Sequence, residues 1–306
     1  MKTIPFLASC LAMASVPLLA QPSFDAPPPS RAVVADPALR REAYHRRIDE
    51  VLAWRVGQLK PGELLPDMGA IAAKLARHED ADLCSRSVIA QMKEPGSGPF
   101  WMFPVVGVAY LGRDQLSAEA RQAIRTAWTS QMQLRGDTEN HWAMYYSSLY
   151  LMAQLWPNEP GDRWFTGKTS TENLVEARDY LIHWMGLATT IGQGEYDCTH
   201  YIGEYAIPML FLSTWAEDPA MRQRGQMMLD YILADFAVDT LNGIYIGAHA
   251  RTDDTTVREK WNGFSSFFAW LFFGNCPPTA SYGGWGSYFA AAATHYEVPE
   301  VIYRIA

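Results

Sequence analysis

Three short stretches of this sequence gather side chains that could move protons. Thr138-Glu139-Asn140-His141 sets an acid, an amide and an imidazole side by side. Gly192-Gln193-Gly194-Glu195-Tyr196-Asp197 puts two carboxylates two positions apart in a glycine-rich loop, and His200, Tyr201 and Glu204 follow at helical spacing. Gly247-Ala248-His249-Ala250-Arg251 adds an imidazole and a guanidinium.

Two reactions suit these residue types. The first is β-elimination of a uronate-containing polysaccharide. The C5 proton becomes removable only once the neighbouring carboxylate is neutralised, which amide, imidazolium or guanidinium donors do through hydrogen bonds that strengthen as enolate charge develops. Asn140, His141 and Arg251 fit that role. Tyr145, one turn beyond His141, and Tyr201 or His200, at the start of a later helix, fit the acid/base role. The second reaction is glycoside hydrolysis, which needs two carboxyls across a sugar. Glu139, Glu195, Asp197 and Glu204 are its candidates. Trp142 and Tyr196 could supply flat faces for a sugar ring, and Glu139, His249 and Arg251 polar contacts to it. A non-catalytic carbohydrate-binding or scaffold protein would share the aromatic cavity yet need no acid or base.

Other chemistries are poorly served. His200 and Glu204 are four apart and Asp197 and His249 could join them, but the spacing matches no specific metal motif. Asp253-Asp254 looks more like a solvated turn than a calcium loop. There is no phosphate-cradling glycine loop, Gly-x-Ser-x-Gly elbow or dinucleotide fingerprint. Neither a metal nor a cofactor is expected. The net charge of −8 argues against nucleic acid as a partner. The expected partner is a polysaccharide or oligosaccharide.

The elements that must position these residues read as helices. Thr138 is a good N-cap, and behind it Trp142, Tyr145, Tyr146, Leu149, Leu151, Met152 and Leu155 make a helix apolar almost all round, hence buried. Further helices are expected from Asp36-Pro37 to about Val56, over Asp67–Arg77, Phe100–Leu111, Ser117–Leu134, Thr171–Ala188 and His200–Trp215, from Asp218-Pro219 to Val238, and over Val257–Phe273 and Trp285–Thr294. Asn242–Asp254 is turn-like with a short strand-like centre. Hairpins recur roughly every forty to fifty residues without a repeated motif. Buried helices alternate with amphipathic ones, as in an all-α, (α/α) toroid with inner and outer helices. About five hairpins can be counted, so the ring is expected to be incomplete or the chain to be a fragment.

Residues 1–20 have the charge and apolar run of a secretory signal, and 21–37 form a Pro-rich linker, leaving 38–306 as the toroid domain. The chain is therefore expected to be secreted or periplasmic, with no membrane association beyond the export signal. After signal removal Cys84, Cys198 and Cys276 remain, allowing at most one disulfide.

Thr-Glu-Asn-His at 138–141, Glu195-Tyr196-Asp197 and Gly247–Arg251, each beside a buried helix, resemble bacterial exported proteins of the (α/α)-toroid class. The likeness is to heparinase II/III- and alginate-lyase-like polysaccharide lyases and to six-hairpin glycosidases, and it covers about Leu134–Ala306. It implies a carbohydrate-active enzyme, foremost a polysaccharide lyase. Only Asn140-His141 maps residue by residue onto the Asn-His of lyase sites. The β-sandwich that usually follows the toroid in such lyases has no counterpart in this sequence.

Overall fold

The computed structural model describes residues 34–96, 98–130, 135–241, 243–251, 263–276 and 283–306. The signal segment, most of the Pro-rich linker, Asp253-Asp254 and the first part of the expected Val257–Phe273 helix lie outside them. The described chain is all-α. Its helices are α1 (Pro37–Gly57), α2 (Met68–Ala76), α3 (Ala81–Gln91), α4 (Pro99–Leu111), α5 (Ala118–Ser130), α6 (Glu139–Leu155), α7 (Ser170–Ile191), α8 (Ile202–Trp215), α9 (Pro219–Val238), α10 (Phe264–Phe268, continued by a π turn over Ala269–Phe273), α11 (Gly283–Ala292) and α12 (Glu300–Ile305). A two-residue antiparallel ladder, Thr240–Leu241 on Ile244–Tyr245, sits after α9.

Local signals set several helix starts. Asp36 accepts from the Ala38 backbone N–H with Pro37 at the first position, and Asp218 does the same for Ala220 ahead of Pro219. Thr169 and Glu172 form a reciprocal capping box at α7. Thr138 occupies the N-cap of α6, but its hydroxyl donates to the Asn140 side-chain oxygen and makes no capping bond to the helix backbone. Two helices lacked a sequence signal. Before α3, Asp80 is left-handed (φ 50°) and gives no side-chain cap, and the buried face carries Ser85 and Ser87 where large apolar residues would mark a period. The six-residue α12 is shorter than any periodic pattern.

Burial separates the helices into two sets. In α2, α4, α6 and α8 nearly every residue is buried, whereas α1, α3, α5, α7 and α9 bury one face. The buried helices pack in a closed circuit: α2 on α4, α4 on α6, α6 on α8, α8 on α11, and α11 back on α2. Half-exposed helices cover it, α1 and α3 against α2, α5 against α4, α7 against α6, and α9 against α8. Small residues let the helices approach. A methyl group on Gly225 of α9 would meet the α8 backbone at 2.9–3.0 Å, and one on Gly107 of α4 would meet the Phe211 ring at 2.9 Å.

Several of the buried helices begin at the same end. Phe100, early in α4, stands edge-on to His141 of α6 (5.1 Å between ring centroids) and to Trp285 of α11 (6.1 Å). Asn140 of α6 bonds Glu204 of α8. Gly203 of α8 lies against Phe264, the first residue of α10. This end carries the residues singled out for chemistry. Cys84, Cys198 and Cys276 are all free thiols and buried. No described helix is long and apolar enough to cross a membrane.

Candidate active site

Glu139 is the tie that fastens the Gly192–Tyr201 loop to the helices. Its Oε1 accepts from the Trp184 indole N–H of α7 at 2.7 Å. Its Oε2 accepts from the backbone N–H of Gly194 (2.5 Å) and Glu195 (3.2 Å), and from the Tyr205 hydroxyl of α8 (3.4 Å). A carboxylate holding donors from three segments has its lone pairs occupied. Glu139 is thus built as an anchor, and the position proposed for substrate contact is filled by protein groups.

The loop so anchored delivers Glu195 to Asn140. The Asn140 backbone N–H donates to Glu195 Oε2 (3.2 Å), and its side-chain Nδ2 donates to Glu204 Oε2. Asn140 Oδ1 in turn accepts from the His141 backbone N–H (2.7 Å) and from Thr138. Asn140 is 2% exposed, so one buried residue gathers two carboxyls. Tyr205 completes the group, its single O–H shared between Glu195 Oε2 at 3.0 Å and the more distant Glu139 Oε2 at 3.4 Å. Burial, opposed by the Asn140 hydrogen bond and reinforced by the nearby Glu195 charge, leaves the Glu204 carboxyl pushed up to about 7. Burial, with the Glu139 and Glu195 charges, drives the Tyr205 phenol far above its ordinary range, so it serves as a donor.

A second acidic group lies beside the first. Asp197, left-handed at φ 50°, accepts from the Tyr245 hydroxyl (3.0 Å). Burial raises its carboxyl, and Asp239 adds to the rise, while Tyr245 and His249 oppose it. Asp235 of α9 is pushed to about 6 by burial first and then by the Asp197 and Asp239 charges. Among the described residues, Asp197, Asp235 and Asp239 are the carboxylates close enough to hold one cation, their oxygens all within 4.8 Å of one another. Gln193, Glu195, Asp197, Tyr205, Asp235 and Tyr245 enclose a space of about 10 Å³ between the two groups, room for about one water.

The remaining candidates take up varied places. Arg251, at φ 58°, is on the surface, its guanidinium 3.0 Å from the Tyr201 hydroxyl and 3.8 Å from Glu195. Tyr196 is 47% exposed, and its carbonyl accepts from the Ala250 N–H (3.0 Å), joining the second stretch to the third. His249 stands edge-on to Tyr245 at 5.3 Å, and its Nδ1 is buried without a hydrogen-bond partner. His141 Nδ1 is likewise buried without one, against Gly136. His200 is half-buried at the turn into α8. Trp142 donates its indole N–H to the Gly136 carbonyl (3.0 Å) beneath the Arg135 guanidinium, a packing position. Tyr145 is buried edge-on to Tyr146 and Phe165 (5.0 and 6.3 Å), with its phenol raised by burial, so it belongs to that aromatic stack. All three singled-out stretches therefore meet, through Asn140–Glu195, Glu195–Arg251 and Tyr196–Ala250.

Sequence reasoning missed Trp184, Tyr205, Asp235, Asp239 and Tyr245. Tyr205 had a usable signal, since it follows Glu204 and shares the opening turns of α8. Asp235 and Asp239 are four apart at the end of α9 and would be read as a solvated face until the loop from α7 is laid upon them. No protein-family model, no curated protein and no solved structure matches this chain.

Proposed function

We propose that the closed helix circuit is an (α/α) toroid, and that the chain is a glycan-cleaving enzyme in which Glu204 and Glu195 are the acid and the base of a glycoside hydrolysis. One observation carries this: two carboxyls meet on the buried Asn140, and one of them, Glu204, is held at about 7. A carboxyl that keeps its proton near neutral pH can donate it to a leaving glycosidic oxygen. Its partner, held by the Asn140 N–H and the Tyr205 hydroxyl, is then available to activate water or to attack the sugar carbon. Tyr196 and Tyr201, toward the surface, supply faces for a sugar ring.

A specific contact favours a second reading, β-elimination by a polysaccharide lyase. Arg251, 3.0 Å from the Tyr201 hydroxyl, would neutralise a uronate carboxylate and hold the sugar beside the phenol oxygen that takes the C5 proton. In that reading Arg251 carries the neutralising role with His141, because the Asn140 amide is engaged with Glu204.

Digestion of a panel of uronate-containing and neutral polysaccharides separates the two. Hydrolysis yields new reducing ends without near-ultraviolet absorbance, and elimination yields both. Glu204→Gln should lower the hydrolytic rate by at least about a hundredfold. An active Glu204→Gln enzyme rules out the hydrolase assignment. Glycan binding with no cleavage in any digest would leave a binding protein.

A further inference from the structure

The far end of α6 bears a second groove. It is about 340 Å³ and is lined by Ala109, Arg113, Asp114, Arg121, Ile124, Leu155 and Trp156, from the ends of α4 and α6 and the first half of α5. α6 has 17 residues, so this groove lies about 25 Å from the carboxyl site. That volume is in the range of small-ligand sites.

The groove has a fixed aromatic wall and a charged rim. The buried Arg125 holds Trp156 from behind, its guanidinium 5.0 Å from the Trp156 ring and 4.6 Å from Trp164. An indole so braced loses little freedom on binding. Leu155, Ile124 and Ala109 continue the apolar surface. Arg121 fastens the α4–α5 connection by donating to the Leu116 and Arg113 carbonyls. Arg113 and Asp114, in that connection, are exposed. Two guanidinium groups against one carboxylate make this groove locally cationic on a chain of net charge −8.

We propose that this groove is a binding site for an anionic sugar unit, remote from the carboxyl site. The C–H face of a pyranose would lie on Trp156, its carboxylate on Arg113, and a hydroxyl would donate to Asp114. Asp114 sets the class: beside two arginines, it favours a ligand with both an anionic group and O–H donors, and disfavours a bare phosphate or sulfate. On a long uronate-bearing chain such a site raises the local concentration of polymer at the protein surface.

The test is calorimetric titration with tetragalacturonate, cellotetraose and inorganic sulfate. It uses the Glu204→Gln background, which suppresses the turnover proposed above, and compares it with the same protein also carrying Arg113→Glu. Arg113 is exposed, so folding should be kept; Trp156→Phe, with a smaller face, is the second variant. Tetragalacturonate should bind, and Arg113→Glu should weaken it by about tenfold or more, with a smaller loss for Trp156→Phe. Equal affinity in the Arg113→Glu protein, equal binding of cellotetraose or sulfate, or no binding of tetragalacturonate overturns the proposal. None of these results depends on cleavage, whereas the hydrolase reading stands or falls on the digests alone.

Discussion

Asn140 and Glu204 are joined across the α6–α8 contact, the amide of one donating to the carboxyl of the other. The amide lowers the Glu204 pKa and burial raises it, so the bond limits how tightly Glu204 keeps its proton. Asn140→Ala should shift the Glu204 titration upward from about 7 and destabilise the protein by about 1–3 kcal/mol, because Glu204 and the Thr138 hydroxyl lose a partner. Carboxyl-resolved NMR titration and urea unfolding measure the two effects. An unmoved Glu204 titration would mean that the bond does not set its acidity.

Glu204 also makes stability depend on pH. Its folded pKa of about 7 exceeds the ordinary glutamate value of 4.5, so the folded state holds a proton that the unfolded state releases. This contribution is fully present below about 4.5 and is lost as pH rises through about 7. Glu204→Gln should therefore raise stability at pH 8 by about 1–3 kcal/mol and change it little at pH 4.5. Asp235→Asn should act with the same sign and to a smaller extent. Thermal melts of both variants across that range check the sign.

Glu139 should be indispensable for structure. Removing it strands the Trp184 indole N–H, the Gly194 and Glu195 amides and part of the Tyr205 bonding. Glu139→Ala is expected to cost about 3 kcal/mol or more and to open the Gly192–Tyr201 loop to proteolysis. Denaturant midpoints together with limited proteolysis report it; a stable, protease-resistant variant would contradict the anchoring role.

Arg251 and Tyr201 divide the two functional readings. Their contact is at the surface, so Arg251→Ala and Tyr201→Phe should each leave the melting temperature within about 2 °C. If elimination is the reaction, either change should reduce kcat/KM by about a hundredfold. If hydrolysis is the reaction, the loss should be confined mainly to KM.

Gly136 supports His141 by lacking a side chain. It has φ +81°, and a methyl group there would overlap the His141 ring. Gly136→Ala should destabilise by about 1–2 kcal/mol or more and move the imidazole, read by the shift of the His141 ring protons. An unchanged ring position would show that the two are not coupled.

Much of this arrangement was legible because the signals were local. The all-round apolar run from Trp142 to Leu155 announced a buried α6, and Asp36-Pro37 and Asp218-Pro219 announced the starts of α1 and α9. Three polar stretches beside buried helices pointed to one place, and bonds between them now join all three. What stayed hidden is set by distant partners. Glu139 read as a ligand-facing acid because its four donors come from residues 45 to 66 positions away. Tyr145 read as a neighbour of His141, but the Phe165 segment draws it into an aromatic stack. α3 packs through serines that bond the chain at Leu65 and Ser117, which no hydrophobic period records.

The closed circuit has a consequence for how the molecule is made. The flank of α2 that meets α11 belongs to residues 68–76, and its cover to residues 283–292, so about 200 residues of synthesis separate them. At ribosomal speeds of about 5–20 residues per second, that apolar flank stays bare for ten seconds or more. Joining the first and last thirds of a chain is also a slow, high-contact-order step. Nascent chains stalled before Gly283 should therefore be the species that chaperones hold most strongly.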